Sequence, residues 1–146
     1  MAIQILFSLG IIVATIFIHG LGTAWWLNYL FRNRDLKSQV FGFYKILKTL
    51  STMAVFLMVL HFIEIALWAG VYMMIPALDK ISHWEESIYF SMITYTTLGY
   101  GDITLPPIWR IMSGFEAMNG ILLFGWSTTM FFAVVQKIIA IKNNKN

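Results

Sequence analysis

Apolar residues in this chain are grouped into three long stretches that are separated by short polar segments. Residues 1–31 contain no Asp, Glu, Lys or Arg, and residues 49–76 and 111–139 are nearly as apolar. Each stretch exceeds the roughly 20 residues that an α-helix needs to cross the hydrocarbon core of a bilayer. A cleaved signal peptide is the weaker interpretation of the first stretch, because no basic segment precedes it. The pattern therefore predicts an all-α membrane protein with three transmembrane helices.

The polar segments between these stretches predict shorter elements. Residues 32–48 are basic, with apolar residues at roughly helical spacing. They indicate a loop and an interfacial amphipathic segment, either separate from the second helix or continuous with it. Ser82 and Glu85 fit a capping box that opens a helix over residues 83–96. This helix is too short to cross a membrane, and a glycine-rich segment, residues 97–102, follows it.

Charge indicates how these elements lie relative to the membrane. Only 12% of the residues are charged, which is about half of the share in a typical soluble domain. Eight of the ten Lys and Arg residues lie in residues 32–48 or near the end of the third stretch. The positive-inside rule therefore predicts an external N-terminus, a cytoplasmic loop at residues 32–48 and a cytoplasmic tail at residues 140–146. Basic residues at helix ends favour contact with lipid and give no sign of a nucleic-acid partner.

Candidate chemistry for catalysis or metal binding is sparse. The chain has no Cys, which excludes a disulfide framework and a thiolate metal site. Its three histidines, His19, His61 and His83, are far apart in sequence and do not indicate a metal cluster. No Ser-His-Asp triad or phosphate-binding loop can be assembled, so an enzyme is the least favoured interpretation and no cofactor is expected.

The most informative segment is Thr96-Thr97-Leu98-Gly99-Tyr100-Gly101-Asp102. Non-helical backbone at membrane depth persists only inside protein or against water or ions. Glycines at alternate positions allow positive φ, so that successive carbonyls can face one axis while Leu98 and Tyr100 pack behind them. A glycine turn is the simpler alternative, but the half-length helix before the segment favours an ion site. We predict that four chains together coordinate K+ through carbonyl oxygens and the Thr97 hydroxyl. The predicted ion-binding residues are Thr97, Leu98, Gly99, Tyr100 and Gly101.

With this segment identified, residues 85–135 resemble the pore domain of potassium channels, in particular small bacterial proteins grouped with two-pore-domain-type channels. The run T-L-G-Y-G differs from the commonest family signature, T-V-G-Y-G, only at Leu98. The resemblance implies a homotetrameric, potassium-selective pore in a bacterial inner membrane. Residues 49–139 would form the pore domain, with an outer helix, a re-entrant pore helix, a selectivity-filter loop and an inner helix. The helix of residues 1–31 is an addition to this pattern.

The same resemblance bears on gating and on support of the filter. Gly120 and Gly125 lie where the family's inner helix has its bending glycine and a second small residue, which implies a gating hinge. Many members have a Trp-Trp pair where this chain has Tyr89 and Phe90, and some have a glutamate where this chain has Ile93. The filter must therefore be supported differently. The residues expected to support it are Thr96, Asp102, Glu116, Tyr89, Phe90, Trp109 and Arg110.

Ionisable residues inside the predicted spans are rare and usually face protein or water. His61 and Glu64 are three residues apart and therefore share one helix face. We hypothesise that Glu116 supports the pore helix through a side-chain partner. The expected partners are Ser91, Thr94, Tyr95 or His61. The alternative is an isolated protonated carboxyl with a local backbone partner.

Residues of the inner helix near and beyond Gly120 are candidates for the cavity and the gate. They are Ile121, Phe124, Thr128, Thr129 and Phe132, with Phe132 as a hydrophobic constriction. A passive potassium channel is the favoured function. The alternatives are a weakly selective cation channel, because packing around the filter fixes its geometry, and a non-conducting accessory subunit. The first helix has no repeated Arg, so a voltage sensor of the Arg-rich type is not indicated.

Overall fold

The computed structural model describes residues 2–32, 42–75, 81 and 83–143. Within them the chain forms four α-helices: α1 (Ala2–Arg32), α2 (Phe43–Met73), α3 (Trp84–Tyr95) and α4 (Arg110–Asn143). Three of these, α1, α2 and α4, are long and apolar enough to cross a membrane. Helix α3 has 12 residues, which is too few to cross the hydrocarbon core.

Several helix ends differ from the boundaries expected from sequence. Helix α2 begins at Phe43 rather than at residue 49, so the described part of the amphipathic segment is continuous with the second helix. The reason is packing, because Ile46 and Leu50 contact a buried apolar cluster that includes Trp26 of α1. Helix α4 continues to Asn143, since no Gly or Pro interrupts the sequence after residue 139.

The start of α3 also differs from its prediction. The helix begins at Trp84, and His83 is its N-cap residue without a side-chain capping hydrogen bond. The capping box placed the helix start at residue 83, one residue too early. Ser82, Pro76 and the loop at residues 33–41 lie outside the described residues. Glu85 and Glu86 lie in the first turn of α3, where carboxylates interact favourably with the helix dipole.

Contacts along α1 show the direction of the other long helices. Residues later in α1 contact residues later in α4, so these two helices run in the same direction. Residues later in α1 contact residues earlier in α2, so α2 runs in the opposite direction. The contacts are Thr15–Asn119, His19–Ser127, His19–Glu64 and Trp26–Phe56.

Buried apolar residues form two clusters at opposite ends of this bundle. The first contains residues of all four helices: Ile11, Ile65, Trp68, Tyr72, Ile81, Phe90, Tyr95, Leu105, Met112 and Leu123. The second contains residues of the three long helices alone: Trp26, Met53, Leu57, Met130, Val134 and Ile138. Helix α3 therefore packs at one end of the bundle, against α2 and α4.

The outward face of the long helices is also apolar. Large hydrophobic side chains are exposed on each of them, among them Phe17, Val55, Met58, Ile121 and Phe132. An exposed apolar surface of this extent marks contact with lipid or with other protein chains.

Gly120 fixes the distance between α4 and the end of α3. A Cβ atom at this position would overlap the carbonyl oxygen of Tyr95. We therefore predict that Gly120→Ala forces the helices apart and destabilises the protein by about 1–3 kcal/mol. Thermal unfolding of the purified protein in detergent measures the effect.

The matched control is Gly114→Ala in the same helix, where an added Cβ meets no atom within 4 Å. There the higher helix propensity of Ala favours the variant by about 1 kcal/mol. The two substitutions should therefore shift the melting temperature in opposite directions. Equal melting temperatures for the two variants would show that the contact between Gly120 and Tyr95 has no energetic role.

Candidate functional site

The backbone of the glycine-rich segment alternates between two conformations. Thr97, Gly99 and Gly101 have positive φ angles of 61°, 52° and 79°. They are the only residues with positive φ in the part of the chain that the structure describes. Leu98 and Tyr100, which lie between them, do not. This alternation of left-handed and ordinary backbone is the pattern that allows successive carbonyl groups to face one side.

Thr97 is an unusual member of this series because it is not glycine. A β-branched residue at positive φ is strained by about 1–3 kcal/mol. Thr97 follows the C-cap residue of α3, a position where glycine is usual, and its N–H donates to the carbonyl of Thr94 at 2.9 Å. The N–H of Gly99 donates to the carbonyl of Ile93 at 3.0 Å. The segment is therefore held against the carboxyl end of α3.

The side chains of Leu98 and Tyr100, which alternate with the residues of positive φ, are largely exposed in a single copy of the chain. Leu98 is 55% exposed and Tyr100 is 68% exposed. The prediction that both pack behind the backbone concerns the assembled protein, so it stays a prediction.

Tyr95, the last residue of α3, is completely buried and holds the helix end from two sides. Its hydroxyl donates to Oε2 of Glu64 on α2 at 2.6 Å. Its carbonyl lies against Gly120 of α4. The start of the glycine-rich segment is therefore fixed between α2 and α4.

Glu116 of α4 links α3 and α2 through hydrogen bonds of its carboxylate. Ser91 of α3 donates to its Oε1 atom, and the hydroxyl of Tyr72 on α2 donates to Oε2 at 2.7 Å. The alternative of an isolated carboxyl with a local backbone partner is therefore wrong. Of the expected partners only Ser91 is bonded to Glu116, among the described residues. Tyr72 was missed, because nothing in the sequence pairs residues 44 positions apart.

Asp102 is supported at the far end of the segment by Tyr89. The Tyr89 hydroxyl donates to Oδ2 of Asp102 at 2.7 Å. This hydrogen bond lowers the pKa of Asp102 below its usual value and raises the pKa of Tyr89, because it stabilises the carboxylate and the protonated phenol. The Tyr89 hydroxyl is therefore the hydrogen-bond donor at a position where many potassium channels have Trp, whose donor is the indole N–H.

The other residues expected to support the filter have separate contacts. Trp109 packs against the apolar cluster around α3, and Nε of Arg110 donates to the carbonyl of Leu105 at 3.2 Å. Phe90 packs edge-to-face on Tyr72. The Thr96 hydroxyl donates to the carbonyl of Met92 at 2.7 Å, within its own helix end. None of these four bonds Asp102 in the described structure.

His19, His61 and Glu64 meet in the interior, between α1 and α2. We call these three residues the His–Glu cluster. Nδ1 of His19 lies 2.8 Å from Oε1 of Glu64, and Nδ1 of His61 lies 3.1 Å from Oε2. The sequence-based judgement that the histidines are too scattered to cluster is wrong for these two. The available signal was that buried ionisable groups in membrane spans usually pair with one another.

A second polar contact also ties α1 to α4. The Asn119 amide donates to the hydroxyl oxygen of Thr15 at 2.8 Å, and both residues are buried. The N-terminal helix thus has buried polar partners on both α2 and α4. Its role was left open by the sequence.

The expected hinge and cavity residues are distributed along α4, which is continuous through Gly120 and Gly125. Gly120 is buried against Tyr95, whereas an added Cβ at Gly125 would meet no atom within 4 Å. The cavity residues lie on two faces of the helix. Phe124, Thr128 and Phe132 line a groove of about 490 Å³ beside α2, whereas Thr129 lines another beside α1. Ile121 lines neither and is exposed. Hinge and gate roles for these residues stay predictions.

Comparison with known proteins adds one finding to this geometry. Residues 58–137, more than half of the 146-residue chain, match the model of a family described as an ion channel. No curated protein and no solved structure shows significant similarity to the chain. The match includes the second half of α2, all of α3, the glycine-rich segment and most of α4. A match to this family points to a protein that conducts ions and is not an enzyme. Together with the three long apolar helices, it supports an integral membrane protein. The chain belongs to the ion channel family.

Proposed function

We propose that the chain is one subunit of a homotetrameric, potassium-selective channel, and that residues 97–101 form its selectivity filter. The observation that carries the proposal is the alternating backbone of Thr97, Gly99 and Gly101. It follows a helix too short to cross the membrane, in a chain of the ion channel family. Helix α3 is then the re-entrant pore helix, and α2 and α4 are the outer and inner helices.

Conduction requires that protein oxygens replace the hydration shell of the ion. Carbonyl groups of Thr97, Leu98, Gly99 and Tyr100, with the Thr97 hydroxyl, supply these oxygens, and repulsion between ions in adjacent sites drives them onward. The carboxyl end of α3 has a partial negative charge, which favours a cation near the inner end of the filter. No covalent step and no cofactor is involved.

Four chains are needed because one strand provides only a quarter of each oxygen ring. The exposed side chains of Leu98 and Tyr100 support this assembly, since a neighbouring chain would bury them. Exposed apolar residues of α4 offer a surface for the same contact. They include Met118 and Leu122. Lipid covers the remaining apolar faces.

The distribution of basic residues orients the channel in a bacterial inner membrane with its N-terminus outside and its C-terminus in the cytoplasm. Asp102 then lies at the outer mouth, with Glu85 and Glu86 at the start of α3. These carboxylates attract cations. On α4, the open space at Gly125 makes it a better bending point than Gly120, and Phe132 narrows the inner end of the pore.

Ion flux into liposomes that contain the purified protein tests this function. We expect K+ flux that greatly exceeds Na+ flux and that barium blocks. Gly99→Ala should abolish it, because the added methyl group is strained at a φ of 52°. The control is Gly10→Ala, at a site where an added Cβ meets nothing within 4 Å, and it should conduct as wild type does.

Other outcomes of the flux experiment distinguish the alternative functions. Comparable fluxes of K+ and Na+ would indicate a weakly selective cation channel. No flux of either ion, from protein that elutes as a stable assembly, would indicate a non-conducting accessory subunit. Either result contradicts the proposal of a potassium-selective pore.

The hydrogen bond from Tyr89 to Asp102 predicts how the outer mouth responds to acid. The bond holds the pKa of Asp102 below its usual value, so the carboxylate stays charged as the external pH falls. In Tyr89→Phe the pKa rises towards the usual value, and protonation therefore begins at a higher pH. We expect single-channel K+ conductance to decline at a higher external pH than in wild type. Tyr44→Phe, at an exposed site far along α2, should leave the profile unchanged, and identical profiles for all three proteins would refute the prediction.

Glu116 provides a separate test of filter support. Glu116→Gln replaces one of the two acceptor oxygens by an NH2 group, which only donates. One of the two hydroxyls, that of Tyr72 or that of Ser91, then loses its acceptor. We expect faster inactivation and a lower melting temperature than in wild type. Tyr72→Phe removes the same hydrogen bond, so the double variant should lose less stability than the sum of the single losses, by about 0.5–3 kcal/mol. Wild-type conductance and inactivation in Glu116→Gln would contradict a supporting role.

A further inference from the structure

The His–Glu cluster is not used by the proposed conduction mechanism. His19 and Glu64 are completely buried and His61 is 6% exposed. One potential ligand atom from each residue lies within 4.8 Å of those of the other two. Two side chains from other helices adjoin them, Tyr95 of α3 and Ser127 of α4. The cluster therefore lies where all four helices meet.

We propose that this cluster binds one zinc-type divalent ion, with Nδ1 of His19, Nδ1 of His61 and a carboxylate oxygen of Glu64 as ligands. Two imidazoles and one carboxylate are a common ligand set for Zn²⁺ sites that keep one coordination position open. Donor atoms around a tetrahedral zinc ion are about 3.3 Å apart. Nδ1 of His19 lies 2.8 Å from Oε1 of Glu64, and Nδ1 of His61 lies 3.1 Å from Oε2. One ligand atom of each residue lies within 4.8 Å of those of the other two, so side-chain shifts must close the three atoms around the ion.

The partners of the other ring nitrogens fit a metal-bound form. Nε2 of His61 lies 2.9 Å from the Ser127 hydroxyl oxygen, and Nε2 of His19 lies 3.2 Å from the same atom. With both Nδ1 atoms protonated, two Nε2 lone pairs would share the single hydrogen of one hydroxyl. A metal ion on the Nδ1 side leaves both protons on Nε2, and both N–H groups then donate to the oxygen of Ser127.

Such an arrangement is usual around bound metals. A metal-binding histidine almost always donates its second ring N–H to an oxygen, which fixes the ring orientation. Ligating carboxylates are also hydrogen-bonded, and the Tyr95 hydroxyl donates to Oε2 of Glu64. This bond leaves Oε1, the oxygen beside His19, as the ligand atom. Ser127 and Tyr95 thus already provide the outer contacts of a metal site.

The chemistry of the ligands selects the kind of ion. Imidazole nitrogen favours Zn²⁺, Ni²⁺, Co²⁺ and Cu²⁺, whereas Mg²⁺ and Ca²⁺ favour oxygen alone. A divalent ion and one carboxylate leave one positive charge in an apolar interior, so an anion such as hydroxide or chloride would complete the site. The groove of about 490 Å³ includes His61 and Ser127 in its lining, so the ion and this anion would enter the cluster from that side.

Metal binding by the purified full-length protein tests the proposal directly. The protein is purified in detergent, its affinity tag is removed, and it is stripped with a chelator and equilibrated with Zn²⁺ before desalting. We expect one Zn²⁺ per chain by elemental analysis, and the visible absorption of tetrahedral Co²⁺ when Co²⁺ replaces it. Less than one Zn²⁺ per four chains would overturn the proposal, as would an absorption spectrum of octahedral Co²⁺ alone. The three residues would then form a hydrogen-bonded cluster without a metal ion.

Matched histidine variants show whether the cluster is the site. His19→Ala and His61→Ala should lose the bound ion, whereas His83→Ala should retain it, because His83 is exposed at the start of α3. Ser127→Ala keeps all three ligands and should weaken binding by about 10–100-fold, which serves as the readout if the histidine variants do not fold. Equal binding by the His19, His61 and His83 variants would place the ion elsewhere. Because no ion flux is measured, the outcome is independent of the test of conduction.

Discussion

The rest of the structure depends on how the carboxyl end of α3 is held, because the helix ends at the buried residue Tyr95 and exposed non-helical backbone begins directly after it. Peptide groups without partners cost several kcal/mol each in hydrocarbon. Tyr95 fixes this point through its hydroxyl on Glu64 and its carbonyl against Gly120. The glycine-rich segment then returns two N–H groups to the last turn of α3. Its geometry is thus set by α2 and α4 as much as by its own glycines.

The N-terminal helix shares in this arrangement. His19 approaches the carboxylate that also accepts from Tyr95, so α1 lies one side chain away from the helix end that begins the glycine-rich segment. Thr15 and Asn119 form a second polar contact nearer the start of α4. In an apolar environment such polar contacts specify which faces of the helices meet, because van der Waals packing alone discriminates weakly between them. Helix α1 is therefore an integrated part of the bundle.

Features that depend on local sequence could be predicted, and features that depend on contacts between helices could not. Three apolar stretches and a short helix were evident, because length and hydropathy suffice to identify them. Positive φ at Gly99 and Gly101 followed from residue type, but positive φ at Thr97 did not, since it reflects how α3 ends. The approach of His19 to Glu64 requires knowledge of helix direction and rotation, which periodicity in a uniformly apolar helix does not supply. The same holds for Tyr72 and Glu116.

The exposed side chains of Leu98 and Tyr100 also matter for biogenesis. In a single chain these two side chains are largely exposed. In the proposed tetramer the neighbouring chains would cover them, so the ordering of the filter would be coupled to oligomerisation. Partly assembled intermediates of that tetramer would contain no complete ion pathway. Chains inserted into a membrane one at a time would then not dissipate its ion gradients.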